Sequence, residues 1–82
     1  MVLTVNIRKI RQILAITVEQ FSKEMNVTPI VQEGLERGQI RPDLEYLKRL
    51  CRKMSISVDE LMVREIPAKD LVKKLENYKA KK

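Results

Sequence analysis

Apolar residues recur at helical spacing along nearly the whole chain, and residues with turn or capping preferences divide this pattern into short segments. The first segment, residues 6–15, places Ile7, Ile10 and Leu14 on one side, with Asn6 suited to be its N-cap. Residues 2–5 fit either an arm or a short strand, and the pattern does not decide between them. Beyond these residues the spacing predicts five further helices and no strand.

The second predicted helix begins at Thr17, whose side chain is suited to cap it, and ends near Met25. Its buried side is expected to carry Phe21 and Met25. Asn26 follows, and asparagine tolerates the left-handed backbone conformation that a tight turn between helices requires. The sequence therefore predicts a sharp turn at Asn26 and Val27.

The third predicted helix begins with Thr28 as its cap and Pro29 as its first residue, and it runs to about Leu35. Gly38 is suited to close this region because glycine adopts positive φ without strain. Gly34 lies inside the helix, where it costs about 1 kcal/mol relative to alanine. Its presence indicates either a close approach of another group or a flexible helix end.

Three more helices are expected after residue 42. Asp43 caps the fourth, which runs to residue 54 with an apolar stripe made of Leu44, Leu47, Leu50, Cys51 and Met54. Ser57 and Glu60 have the spacing of a capping box and predict a short fifth helix. Pro67 suits the first turn of an amphipathic sixth helix whose apolar residues are Leu71, Val72, Leu75 and Tyr78. This helix is expected either to fold back on the domain or to associate with a second copy, and residues 79–82 to fray.

The composition limits the kinds of protein that this chain can be. Its 82 residues, 44% of them apolar, suffice for one compact core. Cys51 is the one cysteine and there is no histidine, so no disulfide framework, metal site or cofactor site is expected, and the chain is predicted not to be an enzyme. We expect Cys51 to be buried, and Met25, Met54 and Met62 to fill the core. No apolar run is long enough to span a membrane, and a reducing cytoplasm is the expected location.

The basic excess is concentrated at the C-terminal end. The formal net charge is +6, of which residues 1–66 carry +2 and residues 67–82 carry +4. A basic chain favours polyanions such as DNA as partners, although a lysine-rich tail that is merely solvated is an equal alternative.

Six short motifs occur in order between Ile7 and Met62, and no single one of them is specific. They are IRKIR at 7–11, ITVEQFS at 16–22, NVT at 26–28, LERG at 35–38, RPDLEYL at 41–47 and ISVDEL at 56–61. In this order and spacing the segment resembles the Cro-like or XRE-type helix-turn-helix family of phage-repressor proteins. The resemblance implies an all-α, five-helix, lambda-repressor-like DNA-binding domain over residues 1–66, followed by a basic amphipathic helix and tail over 67–82.

The resemblance also implies where DNA would be contacted. In this family the second helix of the motif lies in the major groove and its surroundings contact phosphates. The groove-facing candidates in this chain are Thr28, Pro29, Ile30 and Glu33. The phosphate candidates are Arg37, Gln39 and Arg41 in the following loop, together with Thr17 at the start of the second helix. Glu36 is expected to meet Arg37 or Arg41, and Ser22 to allow close approach where the two helices cross.

The chain departs from the family pattern at several of these positions. Val18 stands where a glutamine is common and supplies no hydrogen bond to DNA. Pro29 and Ile30 supply no side-chain donors, although Ile30 is suited to pack on a thymine methyl and Glu33 to accept from cytosine. Gln32 stands where the family usually buries an aliphatic side chain. We therefore expect a small rotation of the third helix that brings Val31 into the core instead.

Two functions follow from these patterns. The first is a repressor-type transcription regulator that binds an operator in double-stranded DNA as a homodimer through its third helix. The second is a helix-turn-helix module without DNA specificity of its own, such as an antirepressor or the partner of a regulatory protein. In this second function an exposed apolar surface of Val18, Pro29, Ile30 and Val31 binds another protein.

Overall fold

Six α-helices joined by short connections form the described part of the chain, which comprises residues 2–80 of this computed structural model, with side chains described through residue 76. In chain order the helices are α1 (Val2–Leu14), α2 (Val18–Glu24), α3 (Pro29–Arg37), α4 (Leu44–Met54), α5 (Val58–Val63) and α6 (Ala68–Ala80). The predicted all-α fold with six helices is therefore confirmed. Within residues 2–80, none of these helices combines the length and the apolar character needed to cross a membrane.

Local capping explains where four of the helices begin. The predicted N-cap side chains Thr17, Thr28, Asp43 and Ser57 each accept a hydrogen bond from the backbone N–H three residues later. At Thr17 these hydrogen bonds form a complete capping box, because the backbone N–H of Thr17 also donates to Gln20 Oε1 at 2.9 Å. The turns are also as predicted, since Asn26 has a φ of 57° and Gly38 a φ of 77°.

The start of the chain differs from the prediction. Residues 2–5 are the first turn of α1 and form neither an arm nor a strand. Asn6 is not an N-cap but a fully buried residue inside this helix. Its side chain donates to the carbonyl oxygens of Leu61 at 2.8 Å and Arg64 at 2.9 Å, and accepts from the backbone N–H of Ile66 at 2.9 Å. Asn6 therefore fastens α1 to the connection between α5 and α6.

One apolar core includes side chains from all six helices. Met25 and Met54 are fully buried in it as expected, but three other predicted core residues are not. Leu44 is 61% exposed and Met62 is 53% exposed, and Cys51 is only half-buried. Tyr46 was not expected in the core, but it is buried there, in the same turn of α4 in which Leu44 points outward.

The sixth helix folds back on the other helices. It packs against α1 and α4, and buries Leu71 and Leu75 almost completely, whereas Val72 stays largely exposed. Lys74 Nζ donates to the carbonyl oxygen of Ser55 at 3.2 Å, beyond the end of α4. The predicted burial of Tyr78 lies outside the residues whose side chains are described. Of the residues expected to fray, 79 and 80 still belong to α6, and 81 and 82 lie outside the described part of the chain.

Candidate nucleic-acid interface

The two helices of the predicted motif, α2 and α3, pack against each other and leave the beginning of α3 uncovered. Thr28, Pro29 and Glu33 are exposed, and Ile30 is 80% exposed. Ser22 is buried on α2, where its small side chain donates to the carbonyl oxygen of Glu19 at 2.7 Å. The pair therefore presents the N-terminal part of α3 to solvent.

An open groove runs between α1, α2 and α3. It is lined by Arg8, Arg11, Thr17, Val18, Glu19, Pro29, Ile30, Glu33, Glu36 and Arg37. Six of the nine predicted site residues are thus brought together along one groove, and Thr28 lies beside them as the cap of α3. Val18 is half-buried, so it contributes less apolar surface than expected.

The other two predicted site residues, Gln39 and Arg41, lie exposed in the loop between α3 and α4. The backbone N–H groups of Gln39 and Ile40 donate to the carbonyl oxygen of Gly34 at 2.9 Å and 3.1 Å. A β-carbon on Gly34 would lie only 2.5 Å from Ile40 Cδ1. Gly34 is therefore explained by close approach, because its missing side chain lets Ile40 hold the loop against α3.

The side of α3 that faces the protein carries polar side chains beside Leu35, which corrects the expected rotation of this helix. Gln32 is fully buried, while Val31 is only half-buried. Gln32 Oε1 accepts from the Tyr46 hydroxyl at 2.7 Å, and Gln32 Nε2 donates to Glu36 Oε2 at 2.9 Å. The glutamine therefore takes the core position itself, because both ends of its amide find partners inside the protein.

Glu36 pairs with Arg11 of α1 and not with Arg37 or Arg41 as expected. Arg11 Nε lies 2.7 Å from Glu36 Oε2, and Arg11 Nη1 donates to the carbonyl oxygen of Ile16 at 3.1 Å. The hydrogen bond to Glu36 raises the pKa of Arg11 further above its usual value. Glu36 and most of Arg11 are thus engaged in holding α1, α3 and the start of α2 together.

The outward side of α3 carries its own ion pair. Arg37 Nη2 lies 2.7 Å from Glu33 Oε1, one helical turn away, and both side chains are more than half exposed. Arg37 is the one cation among the candidate residues on α3, and Glu33 is the one carboxylate among them. Glu33 therefore partly neutralises the charge that Arg37 would offer to DNA.

The charge of the motif is opposite to that of the whole chain. Residues 17–45, which include α2, α3 and the following loop, contain three basic and six acidic residues and have a net charge of −3. Residues 46–82 contain eleven basic and five acidic residues and have a net charge of +6. The helices that carry most of this basic charge, α4 and α6, pack against each other, and α6 makes its main contacts with α1 and α4.

Arg8 is a site residue that the sequence analysis missed. It lies exposed on α1 and lines the same groove as Thr17 and Ile30. Its spacing of three from Arg11 places both arginines on one side of α1. That spacing alone does not reveal which helix they face, because the packing of α1 against α3 joins residues that are distant in the sequence.

Two observations concern metal binding and thiol chemistry in the described residues. Among them no three histidine, cysteine, aspartate or glutamate side chains come close enough to hold a metal ion. Burial raises the pKa of the Cys51 thiol, which lowers the fraction of reactive thiolate at neutral pH.

Comparison with known proteins gives one match. A family model described as Helix-turn-helix matches residues 7–61, which include everything from the second turn of α1 to the middle of α5. No curated protein and no solved structure matches the chain. The match covers all nine candidate site residues.

Proposed function

The chain belongs to the XRE-type helix-turn-helix family, whose members are DNA-binding transcription regulators, and we propose that it is a repressor that binds its operator as a homodimer. In this proposal the exposed beginning of α3 enters the major groove, and the exposed loop between α3 and α4 contacts phosphates. The supporting observation is that a chain matching this family leaves Thr28, Pro29, Ile30 and Glu33 uncovered at the start of α3.

Several candidate residues have particular roles in this proposal. Ile30 packs on a thymine methyl, and Glu33 accepts from cytosine or is repelled by phosphate. Arg37, Gln39 and Arg41 contact the DNA backbone, and Arg8 joins them from α1. Thr17 and Val18 border the groove at the start of α2, where Thr17 lies near a phosphate.

The homodimer is supported by apolar surface on α5, outside the groove. Met62 and Val63 at the end of α5 are both more than half exposed. Two copies would bring two α3 helices to the two halves of a palindrome.

Light scattering on the full chain tests the homodimer, with Val63→Glu expected to shift the dimer to monomer and Lys69→Glu expected to leave it unchanged. A wild-type monomer at high concentration contradicts the dimer.

DNA binding is tested by electrophoretic shift with random and genomic fragments at two salt concentrations. Affinity is expected to fall steeply with salt, with a logarithmic slope of about −0.9 for each phosphate contacted. The absence of a complex with any fragment at low salt contradicts the proposal.

The second function, a protein-interaction module, is favoured by one observation. Residues 17–45, which carry the candidate DNA contacts, have a net charge of −3 and expose Ile30. This composition suits an apolar or basic protein surface better than phosphates, although Arg8 and Arg11 of α1 also line the groove. A partner held mainly by apolar contact through this face is expected to stay bound at salt concentrations that release DNA. Ile30→Lys separates the two functions, because it abolishes the protein contact while it adds a charge that DNA attracts.

A further inference from the structure

Three buried side chains connect α3 to the helices on either side of it. Tyr46 of α4 donates to Gln32, Gln32 donates to Glu36, and Glu36 accepts from Arg11 of α1. Every buried side-chain nitrogen and oxygen in the described residues has a hydrogen-bond partner. The chain of contacts is therefore complete, and each member depends on the position of the next.

The arrangement restrains one motion in particular, the rotation of α3 about its own axis. Gln32 and Glu36 are four residues apart and so lie on the same side of the helix. Gln32 is held from α4 and Glu36 from α1, so a rotation in either direction distorts the hydrogen bonds to at least one of these helices. Hydrogen bonds weaken steeply with misalignment, whereas apolar contacts tolerate small rotations.

We propose that the Gln32–Tyr46 hydrogen bond is a positioning contact that sets the rotation of α3 and thereby selects which of its side chains face DNA. The inference rests on the proposed function for its consequence at DNA, although the rotation itself is a property of the protein alone. Gln32 and Tyr46 are positioning residues, because both are buried and neither reaches the groove.

The experiment uses a duplex that the wild-type chain enriches from a random library, compared with a scrambled duplex of the same composition. Gln32→Leu and Tyr46→Phe each leave one buried polar atom without its partner, so both single variants are expected to melt at lower temperature. The double variant removes both polar groups and is expected to recover most of that loss. Its preference for the enriched duplex over the scrambled one is nevertheless expected to fall roughly tenfold, the size of a single mismatched base pair.

A purely structural contact predicts a different result. If the double variant regains stability and also keeps the wild-type preference, Gln32 and Tyr46 do not position the helix and the proposal is overturned. Gln12→Leu is the matched control, because Gln12 is exposed on α1 outside the groove. It makes the same chemical change and is expected to leave the preference intact.

A second measurement needs no DNA and keeps the two proposals apart. A soluble paramagnetic probe is expected to broaden the NMR signals of the Ile30 methyls strongly and those of Val31 weakly, in line with their exposure. In the double variant the broadening of Val31 is expected to rise relative to Ile30. An unchanged ratio overturns the positioning role, whereas a changed ratio in a chain that binds no DNA overturns only the proposed function.

Discussion

The helices α3 and α6 bury different kinds of side chain. The sixth helix buries Leu71 and Leu75 and exposes Lys69 and Lys73, as an amphipathic surface helix does. The third helix buries Gln32 and Glu36 beside Leu35 and leaves Ile30 80% exposed. Both helices are part of one molecule, but they are attached to it by different kinds of interaction.

The difference separates attachment from orientation. Apolar burial is nearly proportional to area and has little directional preference, so it holds α6 without fixing its rotation closely. Buried hydrogen bonds and ion pairs contribute less net stability but demand one geometry, so they fix how α3 is turned. A helix that has to present particular side chains to a partner gains from the second kind of attachment.

The largest expected effect comes from breaking the polar attachment of α3. Arg11→Met leaves the Glu36 carboxylate buried with Gln32 as its remaining partner, and is expected to lower the free energy of unfolding by about 4 kcal/mol. Chemical denaturation measures it. Arg8→Met is the matched control on the same helix, where the side chain is exposed, and is expected to change stability by less than about 0.5 kcal/mol. Equal effects of the two substitutions would contradict the assignment of Arg11 to the buried pair.

The apolar attachment of α6 is expected to be slightly less sensitive to a single substitution. Leu71 is fully buried, so Leu71→Ala is expected to cost about 3 kcal/mol through lost burial and the cavity that remains. Val72→Ala, one residue along and largely exposed, is expected to cost less than about 1 kcal/mol. Thermal and denaturant unfolding both report this difference. A loss below about 1 kcal/mol for Leu71→Ala would indicate that α6 detaches readily from α1 and α4.

These two helices also show what the sequence alone reveals. The caps at Thr17 and Thr28 and the turn at Gly38 were predicted correctly, because each depends on residues within four positions along the chain. Two core positions of α6 were predicted as well, since an ordinary amphipathic pattern suffices for Leu71 and Leu75, although Val72 of the same predicted face is 42% exposed.

Two of the failures depend on distant partners. Asn6 resembles an N-cap until the segment 61–66 is placed beside it, 55 to 60 residues along the chain. Gln32 resembles a residue displaced from the core until Tyr46 and Glu36 supply partners for its amide. Periodicity ranks residues by hydrophobicity and so assigns buried polar groups to the surface. The resemblance indicated the nine candidate site residues but not Arg8, because the place of Arg8 in the groove depends on the tertiary contact between α1 and α3.

A smaller effect is expected at Gly34, where α3 meets the following loop. Gly34→Ala places a β-carbon against Ile40 and is expected to cost about 1 kcal/mol net, because displacing Ile40 outweighs the gain in helix propensity. In an Ile40→Ala background the obstacle is gone, and the same substitution is expected to stabilise the chain by up to about 1 kcal/mol. The free energies of unfolding of the wild type, the two single variants and the double variant check this change of sign. The same sign in both backgrounds would mean that Ile40 does not hold the loop on Gly34.

The smallest effect on stability and the clearest effect on binding are expected at the exposed pair on α3. Glu33→Gln breaks the contact to Arg37, and because both side chains are more than half exposed, it is expected to change the free energy of unfolding by less than about 0.5 kcal/mol. DNA affinity is expected to rise for two reasons. The substitution removes a carboxylate from residues 17–45, whose net charge is −3, and it frees Arg37 to contact a phosphate. The logarithmic salt slope then steepens by about 0.9, the contribution of one phosphate contact.

Glu65→Gln is the control for Glu33→Gln, because it removes the same charge from an exposed position outside the groove. It is expected to have a smaller effect on affinity and none on the slope. If Glu33→Gln instead weakens binding to the enriched duplex alone, Glu33 accepts from a cytosine, and the acidic charge of α3 contributes to recognition rather than opposing it.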